Sequence, residues 1–195
     1  MASYQILKQK VIVLLCLIMI LLSSGCVTYF GYDGPYEGKV IDKDTRQPIE
    51  GAVVHGTWVK SIPGPGGASS SYYDSREVLT DKNGNFKIEG VGLLIFSNME
   101  EMEVNVFKAG YEQWQSYWSS PKRSKISAQY VEWEGNKAIF KLRRMTFEER
   151  KNRVVSSPST VGSKQGNAGI RLFLLEENKE NIELGYPSST IHKVD

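Results

Sequence analysis

Histidine and cysteine are scarce in this sequence, with two of each among 195 residues. Catalytic zinc takes about three protein ligands, commonly His and Glu. His55 and His192 fall short of that, and neither an HxxE nor an HExxH spacing occurs. A Ser-His-acid triad would have to recruit one of the same two histidines, and no Gly-x-Ser-x-Gly elbow accompanies them. An excess of either charge is also missing: 24 basic residues stand against 22 acidic ones. Nucleic-acid binding, which wants a clearly basic face, has no support in that balance. No apolar run reaches the roughly 20 residues of a comfortable bilayer-spanning helix, and no internal repeat is visible.

The longest apolar run is Val11 to Leu22, "VIVLLCLIMILL", preceded by Lys8 and Lys10 and followed by Ser23, Ser24 and Gly25. A basic start, a core of about 7–15 apolar residues and then small residues make a secretory signal peptide, here residues 1–25. Cys26 comes next. "LSSGC" resembles the lipobox of bacterial lipoproteins, with one departure. The usual Leu three residues before the Cys is Ser23 here, and Leu22 stands one step further back. The resemblance implies cleavage before Cys26 and a thioether-linked diacylglycerol on its sulfur. Each buried CH₂ of an acyl chain adds about 0.8 kcal/mol to membrane binding, and two or more chains give a stable anchor. An ordinary cleaved leader near Gly25 and a retained membrane anchor are the alternatives. Val27 after the Cys implies sorting to the outer membrane, facing the periplasm. Cys16 leaves with the leader and Cys26 is consumed by lipid. The remaining 170 residues then hold no free thiol and no disulfide, so packing must supply their stability. Lys8 and Lys10 leave too, so 22 basic residues balance 22 acidic ones.

Residues 26–35 read as a tether. From Tyr36 to Leu142 the texture is period-two alternation and short apolar runs rich in Val, Ile and aromatics, which are strand signals. Strands are expected near Tyr36–Ile41, Ala52–Val59, Glu77–Thr80, Asn85–Ile88, Glu103–Lys108, Trp114–Trp118, Ile126–Trp133 and Lys137–Leu142. "DKNGN", Asp81 to Asn85, predicts a hairpin joining Thr80 to Phe86, and "EGNK", Glu134 to Lys137, a second one. Lys60 to Asp74, rich in Pro, Gly and Ser, predicts a long mobile loop. "GVGLLIFS", Gly90 to Ser97, suits an edge strand or a buried crossover. The sum is an antiparallel β-sandwich over residues 36–145.

A helical extension over residues 146–187 follows. Thr146 and Glu149 form a capping-box pattern for a short helix ending near Val155. A linker, Ser156 to Gly169, leads to a second helix over about 168–184. Ile170, Phe173, Leu174 and Ile182 are expected to form its apolar face, with "EENKEN" on the solvated side. Gly185 and Pro187 serve as cap and stop. Both helices are expected to pack on the sandwich, and residues 188–195 to fray.

Four separated motifs in order carry a resemblance for the sandwich. They are "GKVIDKDTRQPIEGAVV" (Gly38 to Val54), "LTDKNGNFKIEGV" (Leu79 to Val91), the strand "EVNVF" and "KAGY" (Lys108 to Tyr111). Together they resemble the carboxypeptidase regulatory-like domain, a transthyretin-like (prealbumin-like) sandwich, on Gly38, Val40, Asp42, Thr45, Pro48, Ile49, Gly51, Ala52, Val54, Thr80, Asp81, Gly84, Phe86, Ile88, Gly110 and Tyr111. The resemblance implies the fold. In that family the peptidase is a separate zinc domain. A hydroxyisourate hydrolase shares only the fold type, and its Tyr-Arg-Gly-Ser motif does not occur here. The matched residues have structural uses of their own. Asp42 or Asp44, and Thr45, can accept backbone N–H bonds in a turn. Pro48 ends ladder pairing, and Gly51 allows a backbone that Cβ forbids.

Asp81, Asn83 and Asn85 alternate as in a calcium loop, but the twelfth position, which needs Glu, is Gly92; a turn is the expected use. "PKRSK", Pro121 to Lys125, reads as a solvated basic loop. Aromatics crowd the later strands (Trp114, Tyr117, Trp118, Tyr130, Trp133) and the long loop (Tyr72, Tyr73). Core filling and cross-strand pairing account for most of them. The expectation is a non-catalytic cell-envelope lipoprotein without cofactor or metal. Its partners would be the bilayer, through acylated Cys26, and an envelope protein or glycan. The alternative is glycan or peptide binding through the 60–74 loop and Tyr72, Tyr73, Trp114 and Trp118. Burial of all four would remove that site.

Overall fold

The computed structural model describes Lys10 and residues 12–15, 30–95, 97–119, 122, 129–158 and 169–187. Cys26, His192, nearly all of "PKRSK" and the 188–195 tail lie outside the described residues. In the N-terminal segment, Lys10 and Ile12 to Leu15 are helical and exposed. Among the described residues no helix is long and apolar enough to cross a membrane.

From Phe30 onward the described residues form ten strands and two helices: β1 (Phe30–Asp33), β2 (Tyr36–Asp42), β3 (Val53–Gly64), β4 (Gly67–Leu79), β5 (Asn85–Ile88), β6 (Gly92–Ile95), β7 (Glu103–Phe107), β8 (Trp114–Tyr117), β9 (Val131–Glu134), β10 (Lys137–Leu142), α1 (Phe147–Lys151) and α2 (Arg171–Glu183). They form two four-stranded sheets, β5-β2-β10-β9 (sheet I) and β4-β3-β7-β8 (sheet II), and a two-stranded ribbon, β1-β6. The protein is mainly β and a sandwich. Val40, Phe86, Ile88, Val131, Ala138 and Phe140 of sheet I share one core with Val54, Trp58, Val104 and Val106 of sheet II. Each of the Val, Ile and Phe side chains among them, fully buried, contributes about 1.5–3 kcal/mol. One pair departs from the antiparallel expectation. β10 runs parallel to β2, with Gly38 opposite Ala138 and Val40 opposite Phe140. A Cβ on Gly38 would stand 2.2 Å from the Ala138 carbonyl oxygen and 2.7 Å from the Phe86 ring, so only glycine fits there.

The first turn is built as its residue types require. One Asp42 carboxylate oxygen accepts the N–H groups of Asp44 (3.0 Å) and Thr45 (2.9 Å). Pro48 bridges to Ile41, and Gly51 turns the chain at φ 66°. Thr80 then locks the return. Its hydroxyl donates to the Ile49 carbonyl (2.6 Å) and accepts the Ala52 N–H (2.8 Å), all of it buried.

Four further expectations are corrected. Lys60 to Asp74 is not a loop: β3 and β4 continue as one hairpin to Gly64 and Gly67, with a bulge where Trp58 pairs Asp74 and Val59 pairs Tyr72. The inner stem of β3 is held from its other side as well, since Glu100 N–H bonds Val59 and Ser61 N–H bonds Asn98. "DKNGN" makes its turn, Asp81 accepting the N–H groups of Asn83 and Asn85 at 2.8 Å each. The strands it joins belong to opposite sheets, however, so it is an arch and not a hairpin. Residues 30–33 of the expected tether form a strand instead, because Phe30–Asp33 pairs with Gly92–Ile95, the "GVGLLIFS" run. The fourth correction concerns the second helix. Ile170 and Phe173 are buried as expected, but Ile182 is exposed, while Glu176 and Glu180 of the "solvated" side are buried. "EGNK" is the hairpin expected, between β9 and β10. Thr146 and Glu149 form the capping box, although α1 stops at Lys151.

Candidate functional site

The aromatic residues were the leading candidates, and the fold does not gather them. β4 and β8 are opposite edges of sheet II, so Tyr72 and Tyr73 are separated from Trp114 and Trp118 by two strands. Trp118 is half-buried and packs against the core. Its ring lies 5.0 Å from Tyr36, 5.5 Å from Trp133 and 6.0 Å from Phe140, edge-on to each. Trp114 packs on Tyr130 at 5.4 Å, and its indole N–H is buried without a partner among the described residues. Tyr72 is half-buried, its hydroxyl 3.0 Å from the Ser75 hydroxyl. Tyr73, the bulged residue, is 44% exposed with the Lys60 ammonium 3.9 Å over its ring. Tyr73 is the exposed one of the four, Tyr72, Trp114 and Trp118 are half-buried, and the strand order keeps the two tyrosines apart from the two tryptophans.

A second constellation lies on the outer face of sheet II. Alternation on β3 sends Val54 and Trp58 into the core and Val53, His55 and Thr57 outward. The outward residues are nonetheless buried, because the C-terminal segment covers them. Phe173 stacks on Phe107 at 5.2 Å, with Val53 and Ile170 in the same cluster. Cross-strand pairing sets His55 between Glu77 and Asn105, and Thr57 opposite Ser75. Ser75, His55 and Glu77, the residue types of a nucleophilic triad, therefore share one face, but their bonds run elsewhere. Ser75 meets Tyr72. His55 Nδ1 lies 3.3 Å from the Thr57 hydroxyl, and its Nε2 has no partner among the described residues. Glu77 caps α2, accepting the N–H groups of Leu172 (2.5 Å) and Phe173 (3.1 Å). Burial lowers the His55 pKa to about 4, against the upward pull of the Gly169 backbone and the Glu103 charge. Burial raises that of Glu77, which the helix N–H groups only partly oppose. Gly169 closes the cover, since a Cβ there would stand 2.1 Å from the Ser75 hydroxyl oxygen.

Compared with known protein families, with curated proteins and with solved structures, this chain matches none. Its chemistry must therefore be read from its own geometry.

The third constellation is ionic. Glu180 accepts the Gly110 N–H (2.8 Å) and pairs with Arg150 and Arg153, each at 2.6 Å. Glu176 accepts the Ala109 N–H (3.2 Å) and pairs with Lys108 (3.1 Å) and Lys179 (2.7 Å). Burial pushes the Glu180 carboxyl up, but the Arg150 and Gly110 hydrogen bonds and the charges of Arg153 and Arg150 leave it below the ordinary value. These groups clamp α2 to α1 and to the turn after β7. Among the described residues no group of three or more His, Cys, Asp or Glu is arranged to hold a metal ion.

Sequence reasoning missed Glu77, Ser75, Asn105, Glu176 and Glu180. A signal existed for two of them: Phe173, Glu176 and Glu180 are spaced i, i+3, i+7, one face of a helix.

Proposed function

We propose that the chain is a cell-envelope lipoprotein. Lipid on Cys26 holds a non-catalytic, transthyretin-like β-sandwich of the carboxypeptidase regulatory-like kind at the outer membrane, on the periplasmic side. There it serves as a structural or protein-interaction module. The observation that carries the reading is "LSSGC" at the end of a basic and then apolar leader, three residues before the first strand begins at Phe30. The sandwich family is supported by the uses of its motif residues: Asp42, Thr80 and Gly51 each make the turn or bond that the pattern calls for. The non-catalytic part is supported by the use of the polar groups under the C-terminal helix: Glu77 of sheet II caps it, and Arg150, Arg153 and Lys108 clamp it.

The anchor is tested by Cys26→Ser in cells fed an alkynyl fatty acid. The expected result is loss of label and release of the chain from membranes; unchanged labelling would refute the reading. Crosslinking in intact envelopes followed by pull-down then tests the interaction role, which predicts a protein retained with the wild-type chain.

A further inference from the structure

We propose that the outward face of the β1–β6 ribbon, formed by Tyr32, Leu93 and Ile95, docks into the interface of the bilayer that carries the Cys26 lipid. The proposal rests on the anchor reading above. Tyr32 pairs directly with Leu93, and Ile95 follows on the same face two residues along. Their exposures are 73%, 66% and 51%, while Leu94, between the two aliphatic residues, is half-buried. The ribbon is an apolar face without a covering element among the described residues.

That face cannot turn inward. One Asp33 carboxylate oxygen accepts the Trp58 indole N–H and the Val91 N–H, each at 2.9 Å, and the other accepts the Tyr36 hydroxyl. The Arg76 guanidinium holds the carbonyls of Glu89 (2.6 Å) and Gly90 (2.5 Å). Gly34 and Gly90 are pressed together so closely that a Cβ on Gly90 would stand 1.9 Å from the Asp33 carbonyl oxygen. The ribbon is thus fixed to the sandwich with its apolar side outward.

Chain length identifies the occupant. Three residues separate Cys26 from Phe30, four steps along the chain, and a fully extended chain advances at most about 3.6 Å per residue. Phe30 therefore lies within about 14 Å of the acylated sulfur's own residue, whatever path the chain takes. The headgroup region on each side of a bilayer is roughly 5–8 Å deep. The ribbon is consequently held against the interface, where an amphipathic tyrosine and two aliphatic side chains are stabilised.

The test uses the full acylated chain in proteoliposomes of phosphatidylethanolamine and phosphatidylglycerol. Cys16 leaves with the leader and Cys26 carries lipid, so Leu93→Cys, or Tyr117→Cys on the exposed edge strand β8 as a control, supplies one reactive thiol. An environment-sensitive fluorophore is attached, and quenching by a shallow spin-labelled lipid is compared with quenching by aqueous iodide. The proposal expects lipid quenching at position 93 at least threefold stronger than at position 117, with iodide reversed. Equal behaviour at the two positions in an acylated chain overturns docking and leaves the anchor intact. Shielding of position 93 from both quenchers also overturns it, in favour of a protein on that face. Intact-mass measurement reads Cys26 separately: absence of lipid there refutes the anchor, and docking with it.

Discussion

Glu180→Gln exchanges one buried carboxylate oxygen for an NH₂ group at the centre of the helix clamp. Glu180 is 1% exposed and bonds the Gly110 N–H, Arg150 and Arg153. The remaining amide oxygen can keep the Gly110 bond. The new NH₂ must then face a guanidinium, donor against donor. Removing one partner of a buried ion pair costs about 3–5 kcal/mol, because the other charge is left uncompensated. Arg150 keeps Glu183 at 2.5 Å, which places the expected loss at the lower end, about 3 kcal/mol. With a urea m-value of about 2 kcal/mol/M for a chain of this size, the midpoint should fall by roughly 1.5 M. The assay is equilibrium unfolding in urea followed by tryptophan fluorescence. A midpoint within about 0.3 M of wild type, at unchanged slope, would refute the clamp. The double variant Glu180→Leu with Arg153→Met sharpens the test. A packed apolar pair often replaces a buried ion pair at little cost, so the double variant should be more stable than either single one.

Three further outcomes are expected. The His55 pKa is about 4 in the folded chain against an ordinary 6.5, so the unfolded chain takes up the proton first as pH falls. The resulting stability is complete above pH 6.5 and declines toward pH 4 by at most roughly 3 kcal/mol. His55→Leu should flatten urea midpoints between pH 6.5 and 5, and an unchanged slope would show that His55 is not buried neutral. Thr80→Val leaves the Ile49 carbonyl and the Ala52 N–H unpaired in the interior, and should cost about 2–4 kcal/mol. Thr80→Ser should recover most of it, and thermal melts of the three proteins decide. Trp118→Ala should lower stability by about 2–4 kcal/mol through loss of core contacts. A binding platform would instead show unchanged unfolding, which would restore Trp118 as a ligand residue.

The sandwich was legible because its strands alternate and its turns carry distinctive residues. Asp42, Gly51 and the Asn-Gly of "DKNGN" mark bends whatever surrounds them. What such local signals cannot carry is the destination of the chain after the bend. Asp81 makes the same turn in a hairpin as in an arch, and only the pairing of β5 with β2 separates the two. The stretch Lys60 to Asp74 failed for a related reason. Gly, Ser and Pro are poor strand formers, but the β3–β4 register, once begun at Val53 and Leu79, runs on to Gly64 and Gly67. Glu176 and Glu180 were hidden because a carboxylate normally marks a solvated face. The partners that make burial tolerable, Lys108, Arg150, Arg153 and two backbone N–H groups, are distant in sequence. The aromatic candidates were visible as residues. Whether they converge depends on strand order, which placed Tyr72 and Trp114 on opposite edges.

The parallel β2–β10 pair also governs when the sandwich can form. Val40 meets Phe140 across that pair, a loop of 100 residues. Closing so long a loop comes before most of the contacts that reward it, which slows folding relative to local topologies. During synthesis the chain exposes β2 long before β10 arrives. Until then sheet I consists of β2 and β5 alone, and Val40, Ile88 and Phe86 have only half of their walls. Sheet I therefore stays loose while the chain is being made and becomes rigid only when β10 is delivered.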